Sequence, residues 1–188
     1  MPSDPIDRLL EEHRTIMREV AKLRRAILAL DAEGAPALPR VLPAIRQAMT
    51  WLGAELLGHA RREDEALFPA LDRELGDPAG PTEVMRIEHH AIHESAERLR
   101  STLRELNDVQ HPALVRAEAR LEGLAAAGDD PGALRATARE MIALLDDHFM
   151  KEEDILFPLA RDVLSREALD RIARRMDEID AETRTPHA

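Results

Sequence analysis

The sequence predicts an all-α protein, an up-down-up-down antiparallel four-helix bundle with extra short helices. Three observations lead there. Ala, Leu, Glu and Arg dominate the 188 residues, and all four favour helix. Four long segments carry apolar residues at spacings of three and four, the mark of a helix with one buried face. One block also occurs twice: His59-Ala-Arg-Arg-Glu-Asp-Glu-Ala-Leu-Phe-Pro returns 89 residues later, without a gap, as His148-Phe-Met-Lys-Glu-Glu-Asp-Ile-Leu-Phe-Pro.

The first helix is expected from about Pro5 to Asp31, capped by Ser3 or Asp4. Its stripe is Ile6, Leu9, Ile16, Val20, Leu23, Ile27 and Leu30, and His13 falls inside it. Gly34, Pro36 and Pro39 break the chain. The second helix runs from about Val41 into the low seventies, with Ile45, Leu52, Leu56, His59, Glu63 and Leu67 inward, and Pro69 should kink or end it. Residues 76–81 form a loop. The third helix starts near Thr82 and ends near Asn107, with Met85, His89, Ile92, His93, Ala96, Leu99 and Leu103 on one face. His111-Pro112 interrupts, and residues 113–126 suggest a short helix. The fourth helix begins near Pro131, capped by Asp129 or Asp130, and carries Met141, Leu145, His148, Glu152 and Leu156. Pro158 repeats Pro69, and Ser165 caps a C-terminal helix of about 165–181. Residues 1–188 read as one domain, with a bundle core of about 5–162.

Composition narrows the function classes. The 37 acidic residues exceed the 26 basic ones, a formal charge of −11, which disfavours nucleic acid and anionic membrane surfaces as partners. There is no cysteine, hence no disulfide, thiolate metal site or cysteine nucleophile, and no tyrosine to serve as ligand or radical. No apolar run is long enough for a transmembrane helix. The first residues lack the basic and apolar regions of a signal peptide, so the expected compartment is the cytoplasm.

The repeat reaches beyond the block. Glu12-His13 matches Glu88-His89 at an offset of 76. The unit is therefore a helix with one His followed by a helix with His-x-x-x-Glu, used twice. Spacing of four stacks imidazole and carboxylate on one helical face. At about 1.5 Å per residue, His13 and His59 lie at similar depth from their connection, and so do His89 and His148. The inward groups are His13, His59, Glu63, His89, His93, His148 and Glu152. Seven donors exceed what one transition metal uses and suit two ions with bridging carboxylates. Imidazole with carboxylate favours Fe, Mn or Zn over Mg or Ca. His90, His111 and His187 fall outside this pattern. His89-His-Ala-Ile-His93 has metalloprotease spacing but lacks the Glu that would act as base. No His has Glu three residues before it, the spacing of ferritin-like di-iron bundles.

These residues resemble the hemerythrin-like family, the HHE cation-binding domain, over about residues 5–162. The resemblance rests on His13 alone on the first helix, His59 with Glu63, His89 with His93, and His148 with Glu152. It implies a non-heme di-iron centre bridged by Glu63, Glu152 and an oxo or hydroxo group, with zinc or manganese as possible substitutes. By that resemblance His89, His93 and His148 hold one iron, and His13 and His59 the other. The repeat pairs His93 with Met17, so the open coordination position is expected on the His13–His59 iron, beside the first helix. Its ligand would be O2, NO or peroxide. Oxygen carriers of the family have Asp five residues after the fourth-helix His, where this chain has Glu153. A related branch repairs iron–sulfur clusters, often with a cysteine-bearing N-terminal segment. Two classes of function follow: a binder that stores, carries or senses a small ligand, and a di-iron oxidoreductase consuming peroxide or NO. Iron storage or iron–sulfur repair is a variant of these.

Overall fold

The computed structural model describes residues 4–77, 79–117 and 131–184, and every regular element among them is helical. Helix α1 spans Pro5–Glu33. Asp4 caps it, its carboxylate accepting from the N–H of Ile6 at 2.9 Å and of Asp7 at 3.3 Å. Pro5 takes the first position, where a missing N–H costs nothing. The helix stops at Gly34, whose φ of +67° an L side chain would resist, and whose N–H donates to the Leu30 carbonyl.

A 3₁₀ turn, Ala35–Ala37, leads into α2, Leu38–Arg62. This start is earlier than the prolines suggest. Pro39 lies in the first turn, where its backbone has no hydrogen bond to lose. The chain then makes a π-helical turn, Glu63–Leu67, and continues as α3, Phe68–Leu75. The second half repeats this: α4 is Pro81–Ala117, α5 is Gly132–Lys151, a π turn covers Glu152–Leu156, and α6 is Phe157–Val163. Helix α7, Arg166–Arg184, closes the described chain. The Ser165 hydroxyl accepts from the Ala168 N–H at 3.2 Å, the expected cap.

Pro69 and Pro158 do not end their helices. Proline lacks an N–H and crowds the carbonyl four residues before it. The π turn relieves both problems by widening the helix just ahead of the ring. Phe68 N–H donates to the Glu63 carbonyl and Phe157 N–H to the Glu152 carbonyl, five residues back in each case. Both wide turns begin on a glutamate of the repeated block, and π turns concentrate at functional sites.

Thr82 lies inside α4 rather than capping it, and its buried hydroxyl donates to the Asp72 carboxylate, tying α3 to α4. Helix α4 also runs through His111 and Pro112 to Ala117, past the expected end near Asn107. The caps Asp129 and Asp130, and most of the short helix expected over 113–126, lie outside the described residues.

Helix α1 packs on α2 and α5, and α4 packs on α5 and α2, so the four long helices close a ring. The apolar interior falls into two clusters. One holds Ile16, Leu23, Leu52, Ile92, Leu99 and Leu145. The other holds Leu9, Leu67, Phe68, Met85, Leu156 and Phe157. Each long helix passes from one cluster to the other, and a polar residue marks each crossing: His13 between Leu9 and Ile16, His89 between Met85 and Ile92. On α2 and α5 the crossings are His59 with Glu63 and His148 with Glu152. Among the described residues no helix is long and apolar enough to cross a membrane.

Helix α7 lies against α1, α2 and the first π turn. It buries Ile172, Met176 and Ile179 in the second cluster and supplies no group to the polar layer. Ile179→Ala should therefore destabilise the fold by about 2–5 kcal/mol through the cavity it leaves, while metal content per folded chain stays at the wild-type value. Denaturant unfolding followed by circular dichroism, with elemental analysis of the folded fraction, checks both halves of this expectation.

Candidate metal centre

Six of the seven sequence-predicted residues come together in the polar layer. His13, His59, Glu63, His148 and Glu152 are buried, and the His89 side chain is 9% exposed. They form two groups of four, His13–His59–Glu63–Glu152 and Glu63–His89–His148–Glu152, within each of which the potential ligand atoms lie within 4.8 Å of one another. Both glutamates belong to both groups.

The structure does not bring His93 into the cluster. It is exposed on α4, at the edge of a cavity that His89 and His148 also line. Helical geometry explains this. A step of four residues turns the side chain about 40° further round the helix. Met85, Ile92 and Ala96, on the other side of His89, face the core, whereas Glu97 is exposed. His89 stands at the boundary, so the added rotation carries His93 out into solvent. Its repeat partner Met17 packs half-buried against the first apolar cluster. Cavities thus reach the layer both along α4, at His59, His89 and His148, and between α1 and α2, at His59. His90 is exposed too, 3.2 Å from Glu94.

Each imidazole is oriented by a carboxylate outside the cluster. Nδ1 of His13 meets Glu153 at 2.8 Å, that of His59 meets Glu12 at 2.9 Å, that of His89 meets Asp64 at 3.1 Å, and that of His148 meets Glu88 at 3.0 Å. A carboxylate accepts, so Nδ1 donates and the Nε2 lone pair turns toward the centre. The four acids obey the repeat: Glu12 pairs with Glu88, and Asp64 with Glu153. That was the sequence signal for this outer layer, because each acid adjoins a residue of the inner set. Glu153, in the place where oxygen carriers have Asp, thus braces His13 while Glu152 faces inward.

Glu12 is held in turn by Arg8 at 3.1 Å and Arg62 at 3.0 Å, and Arg62 reaches Asp180 of α7 at 2.8 Å. Burial works to raise the Glu12 pKa, but the hydrogen bond with His59 and the guanidinium charge of Arg62 hold it down to about 2. In the other half Glu88 is gripped by Lys151, which also meets Asp147 at 2.6 Å.

The inner spacings are those of ligands sharing an ion. Two donors about 2.1 Å from one metal lie about 3.0 Å apart at a right angle and about 3.4 Å apart at a tetrahedral angle. Here Nε2 of His13 and His59 are 3.0 Å apart. Nε2 of His13 is 3.2 Å from Glu152, that of His59 is 3.3 Å from Glu63, that of His89 is 3.2 Å from Glu63, and that of His148 is 3.5 Å from Glu152. Protein hydrogen bonds do not explain the cluster. All four oxygens of Glu63 and Glu152, and Nε2 of His89 and His148, are buried without a hydrogen bond of acceptable geometry. The lone pairs of His13 and His59 point at each other. Groups like these are retained in a protein interior when a cation completes them.

The family model of the hemerythrin HHE cation-binding domain matches residues 4–113 and 105–185. The chain belongs to this family. The repeated helical unit supplies both candidate groups of metal donors in this hemerythrin-like chain. Among curated proteins the chain is similar to the iron-sulfur cluster repair protein YtfE of Escherichia coli (strain K12 / DH10B) and of Shigella boydii serotype 18 (strain CDC 3083-94 / BS512), 30% identical over 125 residues. The alignment takes in 65% of this chain and 49% of those proteins, so the chain spans about half the length of the curated relatives it matches.

Charge in the hemerythrin-like layer makes metal binding proton-linked. Burial and the charge of Glu63 push Glu152 up to about 8, and burial raises Glu63 as well. Burial would lower His89, but its hydrogen bond with Asp64 and the carboxylate of Glu63 beside its Nε2 carry it up to about 10. Burial, with the charge of His89, drives His148 down to about 2, keeping it neutral. Below about 8 the metal-free carboxyl of Glu152 keeps a proton that a cation must displace, and above it that competition ends. Zinc added to chelator-treated protein in weak buffer should release protons, and its apparent affinity should climb with pH through about 8 and on toward about 10, where His89 too has lost its proton. An affinity flat across neutral pH would contradict this.

Inner and outer carboxylates should separate by mutation. Glu63→Ala or Glu152→Ala should lose most bound metal. Glu88→Ala or Glu153→Ala should weaken binding about 10–100-fold yet reach wild-type metal content at saturation. Equilibrium dialysis with elemental analysis distinguishes these outcomes.

Proposed function

We propose that the chain is a non-heme di-iron protein which binds a small ligand, O2, NO or peroxide, at its metal pair. The observation that carries this reading is the double group of four donors at 3.0–3.5 Å spacing, with both glutamates common to the two groups. His13 and His59 would hold one ion and His89 and His148 the other, with Glu63 and Glu152 spanning them. The ring of helix contacts supports an up-down-up-down bundle forming a single domain. Four protein donors leave a six-coordinate ion room for an exogenous molecule. Iron bound there supplies a redox-active centre for O2, NO or peroxide, and zinc or manganese suits the same donors.

The protein's own part is orientation and exclusion of water. The outer carboxylates fix the imidazole tautomers and strengthen them as donors. Phe68, Phe149 and Phe157 wall the imidazoles: Phe149 stacks on His13 with ring centroids 3.9 Å apart, Phe157 lies 5.3 Å away on the same ring, and Phe68 lies 5.6 Å from His89. An apolar wall of this kind limits proton delivery to whatever binds inside.

A second reading is iron–sulfur cluster repair, or handling of the iron it requires. Its support is the similarity to the repair proteins, together with two features that lie away from the oxygen-carrier pattern: His93 in solvent, and Glu153 on His13. Anaerobic reconstitution should give close to two irons per chain. Exposure to O2, NO and peroxide, followed by absorption, then divides the readings. A stable reversible adduct indicates a binder, and turnover of peroxide or NO indicates an oxidoreductase. Reactivation of a damaged cluster enzyme by the loaded protein would favour repair. One ion or fewer at saturation would sink the di-iron proposal.

A further inference from the structure

The internal repeat makes two faces of the bundle comparable. Helices α1 and α5 pack along one face and α4 and α2 along the other, and the repeat relates α1 to α4 and α2 to α5. The two faces are filled differently. On the α1–α5 face Phe149 stacks on His13, its plane tilted by only 15°, and Val20 and Ile142 are buried. The corresponding residues of the α2–α4 face are Ala60 for Phe149, Ala96 for Val20 and Gly53 for Ile142. Three large apolar side chains have become three small ones. All three small residues line a cavity of about 540 Å³. His59, His89 and His148 line it as well, and His13 does not.

The ends of the cavity are cationic but paired. Arg100 meets Glu97, and its guanidinium lies so close to Gly53 that a Cβ there would come within 1.5 Å of it. Arg86 meets Asp72 at 2.7 Å and covers Phe68, 5.5 Å from the ring centroid. Between them Leu56, Ile92 and Leu145 give an apolar lining. The other cavity, about 470 Å³ between α1 and α2, touches only His59 among the four imidazoles. It meets that ring with Glu12 on its Nδ1 and Arg62 beside it.

We propose that Gly53, Ala60 and Ala96 form a doorway between α2 and α4 that delivers small exogenous ligands to the metal held by His89 and His148, and that Phe149 bars the equivalent approach to the metal held by His13 and His59. This inference rests on the di-iron reading and adds to it which half is served. It makes Ala60 a residue that determines access, distinct from the ligands.

The test grafts the closed face onto the open one. Ala60→Phe copies Phe149, and Gly53→Ile copies Ile142 as a second variant should the first not fold. Azide is titrated into the diferric proteins and followed by its charge-transfer absorption, with iron counted by elemental analysis. Wild type should bind azide. The filled variants should keep two irons and take up azide about tenfold or more slowly on stopped-flow mixing, because the route that admits it is closed. A variant with full iron and the wild-type rate of azide association would mean that ligands arrive by another route, the α1–α2 cavity included, and would overturn the proposal. So would a diferric wild type that binds no azide. A second arm needs no iron. Metal-free protein is footprinted with hydroxyl radicals, which oxidise an imidazole in either protonation state wherever water reaches it, and the oxidised histidines are mapped by mass spectrometry. His89 should react in wild type and be protected in Ala60→Phe, with exposed His90 as the internal reference. Equal labelling of His89 in both proteins, or none in either, would overturn the doorway. Failure to take up iron with the labelling pattern intact would sink the di-iron reading and leave the doorway standing.

Discussion

Four imidazole lone pairs and two carboxylates face one another inside an apolar bundle, and the remaining architecture answers to that constraint. Desolvated carboxylates without hydrogen bonds are among the costliest groups a fold can bury. Two responses are visible. A cation shared by the donors would complete the inner groups, and spacings of 3.0–3.5 Å leave room for one. An outer tier of four carboxylates meets the Nδ1 atoms, so that each ring has only one nitrogen left to satisfy. The apolar clusters on either side keep water out of the layer and hold the helices at the depth where the groups meet.

The duplication is what made this layer legible in the sequence. His59 with Glu63 and His148 with Glu152 recur at one offset, and His13 and His89 at another, so six inward residues could be placed before any coordinates. The outer acids were within reach of the same logic, since Glu12 and Glu88, and Asp64 and Glu153, also repeat. His93 was not, because four-residue spacing says that two side chains share a face without saying which one lies nearer its edge. That depends on how far α4 is rotated toward α2, a tertiary quantity. The means by which the helices continue through Pro69 and Pro158 was hidden for a related reason. Proline rules assume α-helical hydrogen bonding, and both sites use a π turn instead.

The two halves are alike in their donors and unlike in their support. Glu12 is fixed by Arg8 and Arg62, whose planar guanidinium groups are anchored in turn by Asp180 of the C-terminal helix. Glu88 is met by Lys151, a flexible point charge shared with Asp147. Helix α7 thus braces the half where His13 lies under Phe149. The half facing the larger cavity has the looser grip and the only partly exposed imidazole of the four. Symmetry of sequence has been kept where metal donors are needed and abandoned in the residues that decide packing density.

The burial of the layer has a consequence for the lifetime of the protein. A ligand that binds only the folded state shifts the folding equilibrium in proportion to the logarithm of its concentration. Here that ligand would sit at the centre of the bundle, between its two apolar clusters, where loss of one ion strands buried oxygens of both helical units at once. If metal fills this layer, its supply and the persistence of the chain would be coupled by the same six side chains. A molecule deprived of metal opens more often, and the open form is the one that proteases remove. The abundance of such a protein would follow the availability of its metal without any dedicated sensor.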